Sequence, residues 1–203
     1  MKDILIVSYE CDKIGNYFKL CNQNLQDFIK FKQFNMNIHC THNMNNRESL
    51  HSKLEEFSDD YIVSIYAHGE DDRIKNNENE DLINISDART HYNNAIVYST
   101  ACYSANKLGV QMHAYNCKLF FGYIKKSYIV SMYKDTFIEL DNFALKEILD
   151  NSNIDPTLLC EKINSIFDNR IEEMKKINLM VAPFIMHNKE SYKIYKNQKE
   201  YPS

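Results

Sequence analysis

The feature that most constrains this chain is a set of short, continuous apolar runs separated by stretches of helical period. Residues 4–8 (ILIVS), 61–67 (YIVSIYA), 95–101 (AIVYSTA) and 119–124 (LFFGYI) are dense in β-branched and aromatic residues, with no regular polar alternation. Runs of this kind mark strands buried on both faces, the condition of a parallel sheet covered by helices. Between the first two, Tyr17, Leu20, Cys21, Leu25, Phe28 and Ile29 share one helical face, and Leu50, Leu54 and Phe57 recur at the same spacing. Residues 37–40 form a weaker strand candidate. The order β-α-β-α-β predicts a parallel sheet joined by right-handed crossovers.

Beyond the second run, residues 70–80 (EDDRIKNNENE) are polar and aperiodic, and read as a solvated loop. Residues 81–88 hold a turn or two of order. Helices are expected over 106–116, 141–150 and 156–176, the last with Pro156 in its first turn and an apolar stripe from Leu159 to Met174. Residues 179–185 read as a final strand. The expectation is one α/β domain over residues 1–190, a three-layer α/β/α sandwich with a mostly parallel central sheet, and a polar C-terminal tail over 191–203.

A chain of 203 residues with 44% hydrophobic and 12% aromatic residues can bury a core of its own. Its net charge of −4, with charges dispersed, gives no basic face for nucleic acid. No apolar stretch approaches the ~20 residues that span a bilayer, and Asp3 and Glu10 bracket the N-terminal run, so neither membrane insertion nor a signal peptide is expected. The six cysteines (Cys11, Cys21, Cys40, Cys102, Cys117, Cys160) include no C-x-x-C pair and read as reduced thiols of a cytoplasmic protein. His39, Cys40 and His42 lie close together, but no second pair stands at ligand spacing, and no metal or organic cofactor is expected.

Two polar residues stand at special places. His68, followed by Gly69, ends the second apolar run; Cys102 ends the third and precedes a helical segment. In open parallel sheets, ligands bind beyond the carboxyl ends of the strands. If the two strands are neighbours, an imidazole and a thiol emerge together at that edge, which is what a thiol nucleophile requires of its base. The amides of Gly69 and Cys102 are the expected oxyanion donors, and the start of the following helix adds free N–H groups. Alone, either residue is ordinary packing; the paired pattern strand–His–Gly and strand–Cys–helix points to chemistry.

The stretches SIYAHGE, NISDARTHYNNAIVYSTACYSANKLG and CKLFFGYIKKSYI resemble the caspase-like cysteine peptidases of clan CD, and among them the bacterial CHAT type. Those domains are similar in having His-Gly after a strand, a short piece running from Leu to Asp, a strand ending in Ser-x-Cys, then a helix and a Gly-containing strand. Here residues 82–87 and Gly122 stand in the corresponding places. The resemblance implies a caspase-like sheet and a cysteine endopeptidase with a His68–Cys102 dyad acting on a protein substrate. A peptidase with a long polar loop beside its base is expected to be regulated, by an activating or inhibitory partner protein, by cleavage, or by ordering of residues 71–80. The resemblance also implies a role in bacterial defence or programmed death. The animal caspase signature Q-A-C-[RQG]-G is absent, and His68 lies 34 residues upstream of Cys102 rather than about 50. Thr100 replaces the Asp that metacaspases carry two residues before the nucleophile, so neither family's side-chain preference transfers.

In such a fold the loop after the first strand borders the substrate. Glu10 and Asp12 lie there, and Glu70, Asp71 and Asp72 follow His68; together they raise the expectation of an acidic pocket for Lys or Arg. A solvated acidic loop is the competing reading. Two other classes stand beside the peptidase: a catalytically inactive caspase-like module that binds peptides or proteins, and a small-ligand α/β domain. The second lacks the Gly-rich phosphate loop after its first strand.

Overall fold

A computed structural model describes residues 3–42, 46–57, 60–76, 80–196 and 199–202. Each apolar run becomes a buried strand. Asp3–Ser8 (β1) leads through helix Gly15–Lys32 (α1) to Asn37–His42 (β2), and helix Arg47–Glu55 (α2) leads on to Tyr61–Tyr66 (β3). The small strands His68–Glu70 (β4), Arg73–Lys75 (β5) and Asp81–Asn84 (β6) form a separate antiparallel sheet before Ile96–Ser99 (β7). Helix Lys107–Ala114 (α3) connects β7 to Leu119–Tyr123 (β8). Three helices follow, Lys134–Asp150 (α4), Pro156–Ile177 (α5) and Ala182–Lys189 (α6), and then Tyr192–Lys196 (β9) and Lys199–Pro202 (β10).

The main sheet runs in the order β10-β9-β8-β7-β3-β1-β2. The five strands from β2 to β8 are mutually parallel, and β9 turns antiparallel to β8. Parity divides the sheet. Ile4, Ile6, Ile62, Tyr66, Tyr98, Phe121 and Tyr123 pack beneath α1, α4, α5 and α6. Leu5, Val7, Val63, Ile65, Val97 and Phe120 pack with α2, α3 and the small sheet. This alternation of two apolar faces is why the strands read as unbroken runs. The molecule is an α/β protein with a mostly parallel sheet flanked by helices.

The crossover from β1 moves outward to β2 over one face, whereas all later connections step the other way from β3. The chain therefore reverses direction between β1 and β3, with α1 packed on one face and the small sheet on the other, the kind of switch point at which open α/β sheets bind ligands.

Four expectations need correction. Residues 70–80 are not simply a solvated loop: β5 pairs with β4 and β6, and Ile74 is fully buried. The helix expected over 141–150 begins seven residues earlier, at Lys134. The run at 179–185 does not form a strand; Pro183 sits in the first turn of α6, where its missing N–H costs nothing. Residues 191–203, expected as a polar tail, supply β9 and β10; Tyr192 and Ile194 are buried in the core and Tyr195 packs on the opposite face.

Candidate active site

The site is built at the carboxyl ends of β1, β3 and β7. The β3–β7 register pairs Ile65 with Ser99, and the Thr100 amide donates to the Ile65 carbonyl at 3.1 Å. His68 and Cys102 come three residues beyond that last pair, past the ends of both strands. Ala67 and Ala101 belong to the α2/α3 face, whereas the His68 side chain lies on the other, against α1. The ring of His68 meets Phe18 of α1 edge-on at 5.6 Å and Tyr9 at 5.9 Å. Gly69 makes the approach possible: a Cβ there would stand 2.3 Å from the Cys102 carbonyl oxygen and 2.8 Å from Ala101 Cβ. Only hydrogen at this position lets β4 lie against the turn that carries Cys102.

Cys102 stands in a fastened turn. Tyr103 takes a left-handed backbone (φ 61°), uncommon for a bulky residue, and its amide donates to the Lys125 carbonyl at 3.3 Å. Ser104 Oγ and amide both donate to the Ala101 carbonyl, at 2.8 and 3.4 Å. Ser99 Oγ accepts from the Ala101 amide at 3.1 Å. Gly122 of β8 lets this turn pack down, since a Cβ there would lie 2.6 Å from Ser104 Oγ. The helix expected over 106–116 runs from Lys107 to Ala114, five residues beyond Cys102 at its start. Among the described residues no hydrogen bond uses the Cys102 N–H, which leaves one of the two expected oxyanion donors open.

Sγ of Cys102 is met by a residue the sequence did not single out. The Ser127 amide donates to it at 3.4 Å, and Ser127 Oγ lies 3.6 Å away. Ser127 sits on the extended segment after β8, which α6 clamps: Asn188 exchanges two 2.8 Å hydrogen bonds with the Tyr128 backbone, and His187 Nε2 lies 2.9 Å from the Lys126 carbonyl oxygen. The thiol and imidazole are not hydrogen-bonded to each other. His68 Nε2 instead pairs with Asp12 Oδ2.

Asp12, expected in an acidic pocket, reaches the imidazole. Its other oxygen accepts from the amides of Ile14 and Gly15 at 2.9 and 2.8 Å, seating the turn into α1. Its carboxyl lies below the usual range: partial burial pushes upward, but His68 and the two amides outweigh it. The other acidic candidates are also engaged. Glu10 accepts from Ser8 Oγ at 2.8 Å. Glu70 pairs with Lys75 and Arg73, and Asp72 accepts from Arg73 Nε at 2.9 Å. Asp71 accepts from Asn106 Nδ2 at 2.9 Å. Two cations stand among these carboxylates, so the loop beyond His68 is not a uniformly acidic surface.

Beneath the pair lies a buried carboxylate, Asp141 of α4, 5% exposed. Tyr17 of α1 and Tyr123 of β8 donate to its two oxygens at 2.6 and 2.7 Å, and the Tyr98 hydroxyl donates to its carbonyl. Burial drives its pKa up to about 6, with the hydrogen bonds from Tyr17 and Tyr123 drawing it partly back. Tyr17 precedes the phenylalanine that packs on His68. Burial, then Asp141, hold the Tyr123 phenol well above its ordinary range, with Cys102 among the smaller causes. No sequence signal marks Asp141, because its partners come from three distant elements.

Among the described residues no group of three or more His, Cys, Asp or Glu side chains is assembled to hold a metal, and no helix is long and apolar enough to cross a membrane. No protein-family model matches the chain, and no curated protein matches it. What fold and site define together is an α/β protein with a mostly parallel sheet that brings the backbones bearing a thiol, Cys102, and an imidazole, His68, close together at its carboxyl edge.

Proposed function

We propose that the chain is a caspase-like cysteine endopeptidase with Cys102 as nucleophile and His68 as base. The observation that carries the reading is the contact of Gly69 with the Cys102 carbonyl, which sets the imidazole-bearing and thiol-bearing backbones side by side. His68 takes the thiol proton and the sulfur attacks the scissile carbonyl. The tetrahedral oxyanion is received by the amides of Cys102 and Gly69. His68 then returns the proton to the leaving amine, and water hydrolyses the thioester to regenerate the thiol. Asp12 holds the ring from the far side, as a carboxylate orients the imidazole in other nucleophile–base pairs. The closing of the His68–Cys102 gap belongs to substrate binding, since such pairs are often long in the free enzyme.

The test is labelling by peptidyl acyloxymethyl ketones of varied sequence, followed by mass spectrometry. Modification of Cys102 that is lost in His68→Ala, with cleavage of the matching peptide lost in Cys102→Ala, supports the reading. Labelling that ignores His68, or that falls on the exposed Cys11, sinks it. The turn of His68 toward Asp12 favours one second reading, a caspase-like module that binds peptides without cutting them. Saturable peptide binding without turnover is its signature.

A further inference from the structure

The segment that carries Ser127 continues into an apolar surface that the described residues leave open. Met132 and Met180 are 82% and 78% exposed, and Leu179 and Ile177 are 67% and 59% exposed. These residues come from three places that the fold joins. Asn178, between Ile177 and Leu179, donates to Tyr133 Oη at 3.2 Å, and the rings of Tyr128 and Phe184 lie 5.5 Å apart. Scattered single apolar residues are normal on a surface, whereas a contiguous set of large ones marks an interaction site.

The rim is basic. Lys125, Lys126, Lys134 and Lys176 are exposed beside the patch, and among the described residues none of the four is in an ion pair. Lys126 Nζ lies 5.9 Å over the Tyr128 ring. Asp135 shares the rim with Lys134, leaving the balance positive. In a chain of net charge −4 this is a local reversal of sign.

We propose that this surface docks an acidic amphipathic helix of a partner protein, its apolar stripe on Met132, Leu179, Met180 and Phe184 and its carboxylates on the four lysines. Charge complementarity selects the partner's sign, and the apolar centre supplies the anchor.

The surface is also wired to the sulfur. Tyr128 touches Phe184 and is clamped by Asn188, Lys126 is held by His187, and Ser127 between them donates to Cys102. An occupant that shifts Phe184 therefore moves both neighbours of the residue that contacts the thiol.

The experiment uses the whole chain and a fluorescent helical peptide about 18 residues long, with Leu at i, i+3, i+4 and i+7 and Glu elsewhere. A matched peptide with Lys for Glu, and phosphatidylglycerol vesicles, complete the set. The expected result is saturable binding of the Glu peptide, at least about tenfold tighter than the Lys peptide, and at least about tenfold weaker for Met180→Glu and for Lys134→Glu. Binding is also expected to change the rate of Cys102 alkylation by iodoacetamide at least about twofold, a readout that needs no peptidase activity and so separates this inference from the proposed reaction. Equal binding of the two peptides, no binding of either, or binding that both variants retain overturns the proposal. Vesicle binding without peptide binding overturns it in favour of a membrane, and a dimer that Met180→Glu splits overturns it in favour of a second copy.

Discussion

Asp141→Asn tests the buried polar contact beneath the site through its dependence on pH. In the folded chain the Asp141 carboxyl has a pKa of about 6, against 3.8 for an ordinary aspartate. Below that lower value both states bind the proton. Above about 6 the native state must hold a charge away from water that the unfolded chain holds in it. This group's stability contribution is therefore complete in acid and is lost as pH rises through about 6. Two units correspond to about 3 kcal/mol, of which about 2 kcal/mol remains to be lost between roughly pH 4.5 and 7.5. The neighbours do not titrate in that range, because burial keeps Tyr17, Tyr98, Tyr123 and Cys21 protonated well above it. Carboxyls held low by partners, such as Asp12, Asp60 and Asp72, act in the opposite sense, but they are common to both proteins and cancel in the difference. Urea unfolding of wild type and variant across this window is the assay. The gap between the two is expected to move about 2 kcal/mol toward the variant as pH rises. Parallel curves would show that Asp141 is ionised or solvated in the same way in both states, and would refute the reasoning.

Gly69→Ala must push a methyl group against backbone on β7's continuation, where no flexible side chain can yield. A loss of about 1–3 kcal/mol is expected, read as a fall in melting temperature of roughly 2–4 °C per kcal/mol, together with a changed rate of Cys102 alkylation. Asp12→Asn keeps the Oδ1 that caps Ile14 and Gly15 but replaces the oxygen facing His68. The melting temperature should hold while turnover of a cleaved peptide falls roughly tenfold or more, without a matching rise in KM; equal activity would remove Asp12 from the mechanism.

The parts of the fold visible in sequence are those written in local period. The runs around Ile6, Val63, Val97 and Phe120 are strands because both faces of the sheet are covered, and that same fact placed His68 and Cys102 at strand ends. The run at 179–185 misled because apolar content over seven residues fits a buried strand or a short helix equally. Tyr192 and Ile194 flank Lys193, but Tyr195 follows at once and breaks the alternation, so the short strand hides among the polar residues around it. Ser127 and Asp141 were out of reach for another reason. Their roles arise from contacts across 25 and 124 positions, to Cys102 and Tyr17, and nothing near either residue announces them. Asp12 was picked out for its charge, and only the fold shows that charge turned toward the imidazole.

The clamp on the Ser127 segment also sets a schedule. Synthesis delivers β7, Cys102 and β8 first, but the groups that hold Lys126 and Tyr128 in place lie on α6, and the Ile124 amide is met by Ser191. At about 5–20 residues per second, the ribosome needs several seconds to pass from residue 127 to residue 188. Throughout that interval the sulfur's neighbouring loop has no clasp. A nascent chain thus carries its thiol long before it carries the groups that fasten the loop against it, so the surroundings of Cys102 are among the last things the polypeptide completes.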